Sequence, residues 1–179
     1  MRESIRLLTQ IAFVITLVLF CLFFSCQQQA KNAFTEKEAK VFMDRYMETM
    51  NEADLDLVDE IIAPEFVLRT PLLPEPVVGI ENYKALVTNT SNTFSDFNAT
   101  IEEVIVKGDK IWCRFSMEGI NTGPLGDIPA TGKKFHVTGL AITRVANGKI
   151  VEDETFWNVL GFYQQLGFTL NPPQEQSEQ

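Results

Sequence analysis

The sequence predicts an α+β fold in which N-terminal helices are wrapped by a curved antiparallel sheet, leaving a cone with an internal cavity. Three observations carry this. Between Ala39 and Val87 the apolar residues recur mainly at helical spacing. From Ala99 onward they alternate at period two, with tight turn signals at Gly108-Asp109 and Asn147-Gly148. Helices precede strands instead of alternating with them, which argues against a parallel βαβ architecture.

Each element has a local reason. Thr35-Glu-Lys-Glu38 has the form of a capping box, and Ala39, Phe42, Met43, Tyr46, Met47 and Met50 follow as one helical stripe. Leu55, Val58, Ile61 and Ile62 suggest a second short helix ended by Pro64. Phe66 to Thr70 reads as a short strand, and Pro71, Pro74 and Pro76 stiffen the loop after it. Gly79 opens a third helix over about Ile80 to Asn89. Strands follow over 99–107, over Ile111 to Met117, over 135–145 and over 150–157, with a loop from Gly123 to Gly132. In the second strand Ile111, Cys113, Phe115 and Met117 share one face.

The N-terminus reads differently. Arg2 and Arg6 precede an apolar stretch from Ile11 to Phe24 broken only by Thr16. That is signal-peptide length, short of the roughly 20 residues a spanning helix needs. Leu22-Phe-Phe-Ser-Cys26 resembles a bacterial lipobox, in which the cysteine thiol is acylated before cleavage. Residues 1–25 are therefore expected to be a signal peptide or N-terminal anchor and Cys26 the lipidation site. Residues 26–33 read as a linker, 34–170 as the cone domain and 171–179 as a disordered tail. Lipoprotein, uncleaved anchor and ordinary secretion stay open as alternatives. The first two tether the domain to a membrane of the bacterial cell envelope, facing the periplasm.

Composition excludes several classes. The net charge of −9 argues against nucleic acid and anionic headgroups as partners. With Cys26 lipidated and Cys21 removed, Cys113 has no partner for an intrachain disulfide and reads as a small buried hydrophobe. His136 is the only histidine, at a strand start, so a transition-metal site is not expected. There is no Gly-rich phosphate loop, and no cofactor is implied.

Residues 148–167, Gly-Lys-Ile-Val-Glu-Asp-Glu-Thr-Phe-Trp-Asn-Val-Leu-Gly-Phe-Tyr-Gln-Gln-Leu-Gly, carry a resemblance. Together with Gly108-Asp-Lys110, the segment from Gly119 to Lys134, and Thr138-Gly139 before Arg144, they resemble the SnoaL-like polyketide cyclase or ester cyclase family. That family belongs to the nuclear-transport-factor-like superfamily, which also holds ketosteroid isomerase and scytalone dehydratase. The resemblance covers about residues 35–168 and implies a cystatin-like α+β barrel. It also implies a site. The family's last strand commonly carries a Trp and, four residues on, an acid/base Asp; Glu154 and Asn158 stand at those places. An Asp-His pair of the family falls on Leu68 and Arg69, and a His falls on Asn121. An amide cannot exchange a proton near neutral pH, but it can hold a ligand oxygen.

Period two puts Glu154, Phe156 and Asn158 on one strand face; if Asn158 looks into the cavity, as the resemblance implies, so does Glu154, and Asp153 turns to the opposite face as a surface charge. A carboxyl in an apolar cavity has its pKa raised, which makes Glu154 the candidate acid/base. Arg69 is expected to pair with it or to orient an anionic substrate, the alternatives being a structural ion pair between the two or one of them solvated at the cavity mouth. Asn158, Asn121, Phe156, Tyr46 and Phe115 are the candidate ligand contacts. Trp112 and Trp157 are assigned to the outer sheet face, where a homodimer is expected. Three functions stay open: a cavity that binds a small apolar molecule without catalysis, an enzyme of the cyclase, isomerase or dehydratase type, and an envelope interaction module using the outer sheet face.

Overall fold

The computed structural model describes residues 34–169 and 171. The expected signal peptide or anchor, the lipidation at Cys26, the linker after it and the tail beyond 171 lie outside the described residues. No described helix is long and apolar enough to cross a membrane.

Helix α1 (Glu36–Asn51) starts at the expected capping box. Thr35 Oγ1 accepts from the Glu38 amide at 3.2 Å, and Glu38 Oε2 accepts from the Thr35 amide at 2.8 Å. The Thr35 amide, together with the Thr35 hydroxyl that also donates to Oε2 at 2.8 Å, holds the Glu38 carboxyl below its usual range. Helix α2 (Leu55–Ile61) is capped by Asp54 and runs directly into β1 (Ile62–Arg69). Pro64 thus lies inside a strand that begins earlier than expected, not at a helix end. After β2 (Val77–Val78), Gly79 at φ +87° opens α3 (Ile80–Thr93), which is longer than expected.

The strands β3 (Phe94–Lys107), β4 (Lys110–Asn121), β5 (Lys134–Ala146) and β6 (Lys149–Trp157) form an antiparallel meander. Its β5–β6 hairpin turns at Asn147 and Gly148, both at positive φ, the pair a tight two-residue turn needs. The sheet order is β2-β1-β6-β5-β4-β3, with β1 parallel to β6, so the sheet is mixed and not wholly antiparallel. Helix α4 (Val159–Gln165) is the last of the described elements. Its Gln165 side chain accepts from the His136 amide at 2.8 Å and donates to the His136 carbonyl at 3.1 Å. The amide thereby stands in for a strand neighbour where β6 no longer reaches.

Core residues come from both layers. Ala39, Met43 and Tyr46 of α1 and Tyr83 and Val87 of α3 are buried against the inward residues of the sheet. At one end of the strands Phe94, Phe135, Val137, Phe162 and Leu166 form an aromatic cluster. Its rings meet edge to face, Phe135 and Phe162 at 5.0 Å and 83°.

Candidate functional site

The inward residues of β5 and β6 follow from their register. Val145 lies opposite Ile150, but Arg144 lies opposite Glu152, leaving Val151 as an extra residue. This is a β-bulge. Ile150 and Val151 are both buried as a result. Past the bulge the alternation has changed phase, so Thr143 faces Asp153, Ala141 faces Thr155, and Gly139 faces Trp157 on the inner side. The expected orientation is therefore reversed. Odd-numbered Asp153, Thr155 and Trp157 line the cavity, and even-numbered Glu152, Glu154 and Phe156 lie on the outer face. A one-residue slip moves every later side chain to the other side of a sheet.

The cavity has a volume of about 150 Å³. Its wall is built from Met43, Tyr46 and Met47 of α1 and Tyr83 and Leu86 of α3. Leu72 and Leu73 of the proline-rich loop, Cys113 and Phe115 of β4, and the aromatic cluster complete it. Gly139 makes room for two of these rings. A Cβ there would stand 2.5 Å from the Phe115 ring and 2.8 Å from Trp157 Cβ. Of the residues forming this wall, Asp153 is the only one that carries a formal charge near neutral pH.

Asp153 is 3% exposed and sits between two hydroxyl donors. Thr143 Oγ1 donates to Oδ1 at 2.6 Å, and the Tyr46 hydroxyl donates to Oδ2 at 3.3 Å. The Tyr46 ring stacks on Tyr83 at 6.0 Å. Thr49 Oγ1 lies 3.2 Å from the Tyr83 hydroxyl and gives its own proton to the Tyr46 carbonyl at 2.8 Å. A hydroxyl has one proton, so Thr49 accepts from Tyr83. Burial pushes the Asp153 carboxyl up to about 6, against the pull of the Thr143 and Tyr46 bonds, and the neighbouring Glu154 charge adds to the rise. Burial also raises both tyrosines, and it pushes the Cys113 thiol up to about 12, which leaves that thiol a poor nucleophile.

The other expected site residues are placed as follows. Tyr46 and Phe115 line the cavity. Arg69 does not meet Glu154 in an ion pair: on the outer face its guanidinium binds Glu152 at 2.5 Å, and Arg144 binds the same carboxylate at 3.2 Å. The two arginines hold Glu152 below its usual range. Asn158 is exposed and caps α4, its Oδ1 accepting from the Gly161 amide at 2.8 Å. Asn121 is buried, but its amide is spent on the backbone. It donates to the carbonyls of Thr93 and Gly123 and accepts from the amide and hydroxyl of Thr131, which pins the 122–133 loop. Phe156 is 50% exposed on the outer face beside Leu140. Trp157, assigned to the outer face, points inward, and its ring meets Phe162 edge to face at 5.6 Å. Trp112 is on the outer face as expected. His136 is exposed, 3.7 Å from Glu118.

Asp153 is the functional candidate that strand periodicity missed. The signal for it was the adjacent apolar pair Ile150-Val151, which breaks strict alternation and shifts the inward phase to 153, 155 and 157.

The family model for SnoaL-like polyketide cyclases matches residues 40–166. Aklanonic acid methyl ester cyclase DauD of Streptomyces sp. (strain C5) is 32% identical over 126 residues, 69% of this chain and 78% of the relative. Aklanonic acid methyl ester cyclase DnrD of Streptomyces peucetius is also 32% identical, over 69% of this chain and 86% of its own. Among solved structures, TsrD from Streptomyces laurentii superposes with a TM-score of 0.66 at 27% identity, over 75% of this chain and 98% of that one. Wild-type IdmH from Streptomyces antibioticus does so with a TM-score of 0.60 at 27% identity, over 71% and 96%.

Proposed function

Since the chain belongs to the SnoaL-like polyketide cyclase family, we propose that its cavity takes up a small, largely apolar molecule and exchanges a proton with it at Asp153. One observation carries this reading: a single carboxyl, titrating near 6, stands in an otherwise apolar and aromatic wall. A group with that pKa is mostly a carboxylate at neutral pH and regains its proton readily, as acid/base catalysis needs. The step balances within the site. An Asp153 oxygen takes a proton from carbon next to a carbonyl. The C–H electron pair becomes the C=C bond, and the C=O pair moves onto oxygen. The carboxylic acid so formed returns the proton to that oxygen or to carbon. Two relatives named as cyclases support this class of chemistry. Glu154, on the outer face, has no part in it.

The test is deuterium exchange at the carbons flanking the carbonyl of cyclohexanone, followed by NMR in deuterated buffer. Wild-type protein is expected to accelerate exchange over buffer, and Asp153→Asn to return it to the buffer rate. Equal rates with wild type and variant would leave a binding cavity without catalysis.

A second reading has its own observation. Ile105 and Trp112, paired across β3 and β4, and Leu140 and Phe156, paired across β5 and β6, are each 45–56% exposed on the outer sheet face. Large apolar groups this close together mark contact surfaces. We propose that this face meets a second copy of the chain. Light scattering tests it: a dimer that Trp112→Glu converts to monomer supports the contact, and a wild-type monomer removes it. Membrane tethering through a lipid on Cys26 remains part of the proposal, supported by the lipobox-like sequence. Release from the membrane fraction by Cys26→Ser is the expected outcome.

A further inference from the structure

We infer that the cavity selects a compact, single-ring molecule that donates a hydrogen bond through a phenolic or enolic hydroxyl, with Asp153 as the acceptor. This rests on the proposed function and names the class of molecule it serves. Size sets the first limit. A cavity of about 150 Å³ is one that holds a benzene-sized ring.

The proton inventory sets the second limit. A carboxylate has about four acceptor positions and no donor. Two of those on Asp153 are filled, one per oxygen, by Thr143 and Tyr46. The other polar groups of the wall have partners inside the protein. The Thr70 hydroxyl accepts from Trp157 Nε1 at 3.4 Å, Thr90 donates to the Leu86 carbonyl at 2.9 Å, and Thr155 donates to the Arg69 carbonyl at 3.4 Å. The Tyr46 proton points at Asp153 and the Tyr83 proton at Thr49. What the resting cavity offers a ligand is therefore one charged acceptor, at the remaining positions of the carboxylate, beside one neutral donor, the proton of the Thr70 hydroxyl. A ring bearing only an ether or carbonyl oxygen meets no more than that neutral hydroxyl; a ring bearing a hydroxyl meets the charged acceptor, the stronger of the two bonds. The same preference ties binding to the proposed reaction, because the enol of a ketone is the tautomer that carries the O–H. An acceptor that binds the enol better than the ketone shifts the balance between the two tautomers toward the enol.

The titratable groups that act on Asp153 are Tyr46 from α1, Tyr83 from α3, Cys113 from β4 and Glu154 beside it on β6. The first three carry pKa values raised by burial and stay neutral below pH 9. Between pH 5.0 and 7.5, Asp153 is thus the wall group that changes charge, and a protonated carboxyl can donate to an ether oxygen as well as accept.

Calorimetric titration of the protein with phenol, anisole, toluene and benzylamine at the two pH values tests this. At pH 7.5 phenol is expected to bind at least about tenfold more tightly than anisole or toluene, the size of a hydrogen bond to a charged group. At pH 5.0 the margin over anisole should shrink several-fold, and in Asp153→Asn it should be small at both pH values. Glu154→Gln should keep the wild-type pattern. Anisole binding as tightly as phenol at pH 7.5 overturns the inference and leaves the cavity reading standing. Benzylamine binding more tightly than phenol assigns the open acceptor to a cation and also overturns it. If none of the four binds, the cavity reading fails with it.

Discussion

Thr143 Oγ1 and Asp153 Oδ1 lie 2.6 Å apart, on residues directly opposite one another in β5 and β6. Thr143 is fully buried and Asp153 3% exposed, so this polar pair sits among core residues where strand alternation would place hydrophobes. The bulge at Val151 makes the pairing possible, and the Tyr46 hydroxyl completes the support of the carboxylate.

Asp153 makes stability depend on pH in a stated direction. Its folded pKa, about 6, lies above the usual 3.8. Between those values the folded protein binds more protons than the unfolded chain, so stability falls as pH rises through the window and is level above it. The size is about 3 kcal/mol. Urea unfolding of wild type and Asp153→Asn at pH 4 and pH 7.5 checks this. The variant is expected to gain most of that amount on wild type between the lower and the higher pH.

Asn121 and Asn158 should separate cleanly. Asn121→Ala removes a buried amide with four hydrogen bonds, leaving the Thr131 amide and the Gly123 carbonyl short of a bond, while the Thr93 carbonyl keeps the amides of Thr122 and Gly123. A loss of about 2–4 kcal/mol is expected. Asn158→Ala removes a helix cap from an exposed site and should cost about 1 kcal/mol. Denaturant midpoints measure both.

Glu154→Gln is expected to change stability by no more than about 0.5 kcal/mol and to leave phenol affinity as it is, because the side chain is outside the cavity. A large change in affinity would return Glu154 to the site.

Gly139→Ala forces a methyl group against the Phe115 ring and Trp157. Overpacking of this kind costs about 1–3 kcal/mol. Both rings line the cavity, so their displacement should weaken ring binding in the same variant. Thermal unfolding and calorimetry test the two effects separately.

The helices and turns were legible because their signals are local. The Thr35-Glu38 box, Gly79 and Asn147-Gly148 each act through a few neighbouring residues. Strand starts were less so: β3 begins at Phe94 and β1 at Ile62, where tertiary pairing extends segments whose own sequence is mixed. The parallel contact of β1 with β6 joins residues more than 80 positions apart and has no local signature. The site depended on phase. Counting back from Asn158 turned Glu154 inward, and the bulge at Val151, visible only as two adjacent apolar residues, turned Asp153 inward in its place. Tyr46 and Phe115 lie before that bulge in sequence, on elements with unbroken periodicity, and both reach the cavity wall.

Whether Asp153 is the titrating acceptor of the cavity is decided by the carbon-13 shift of its side-chain carboxyl, followed against pH with and without phenol. A midpoint near 6 is expected in the free protein, lowered when phenol occupies the open acceptor positions. A midpoint near 4 that phenol leaves untouched, with the Glu154 carboxyl responding instead, would contradict it.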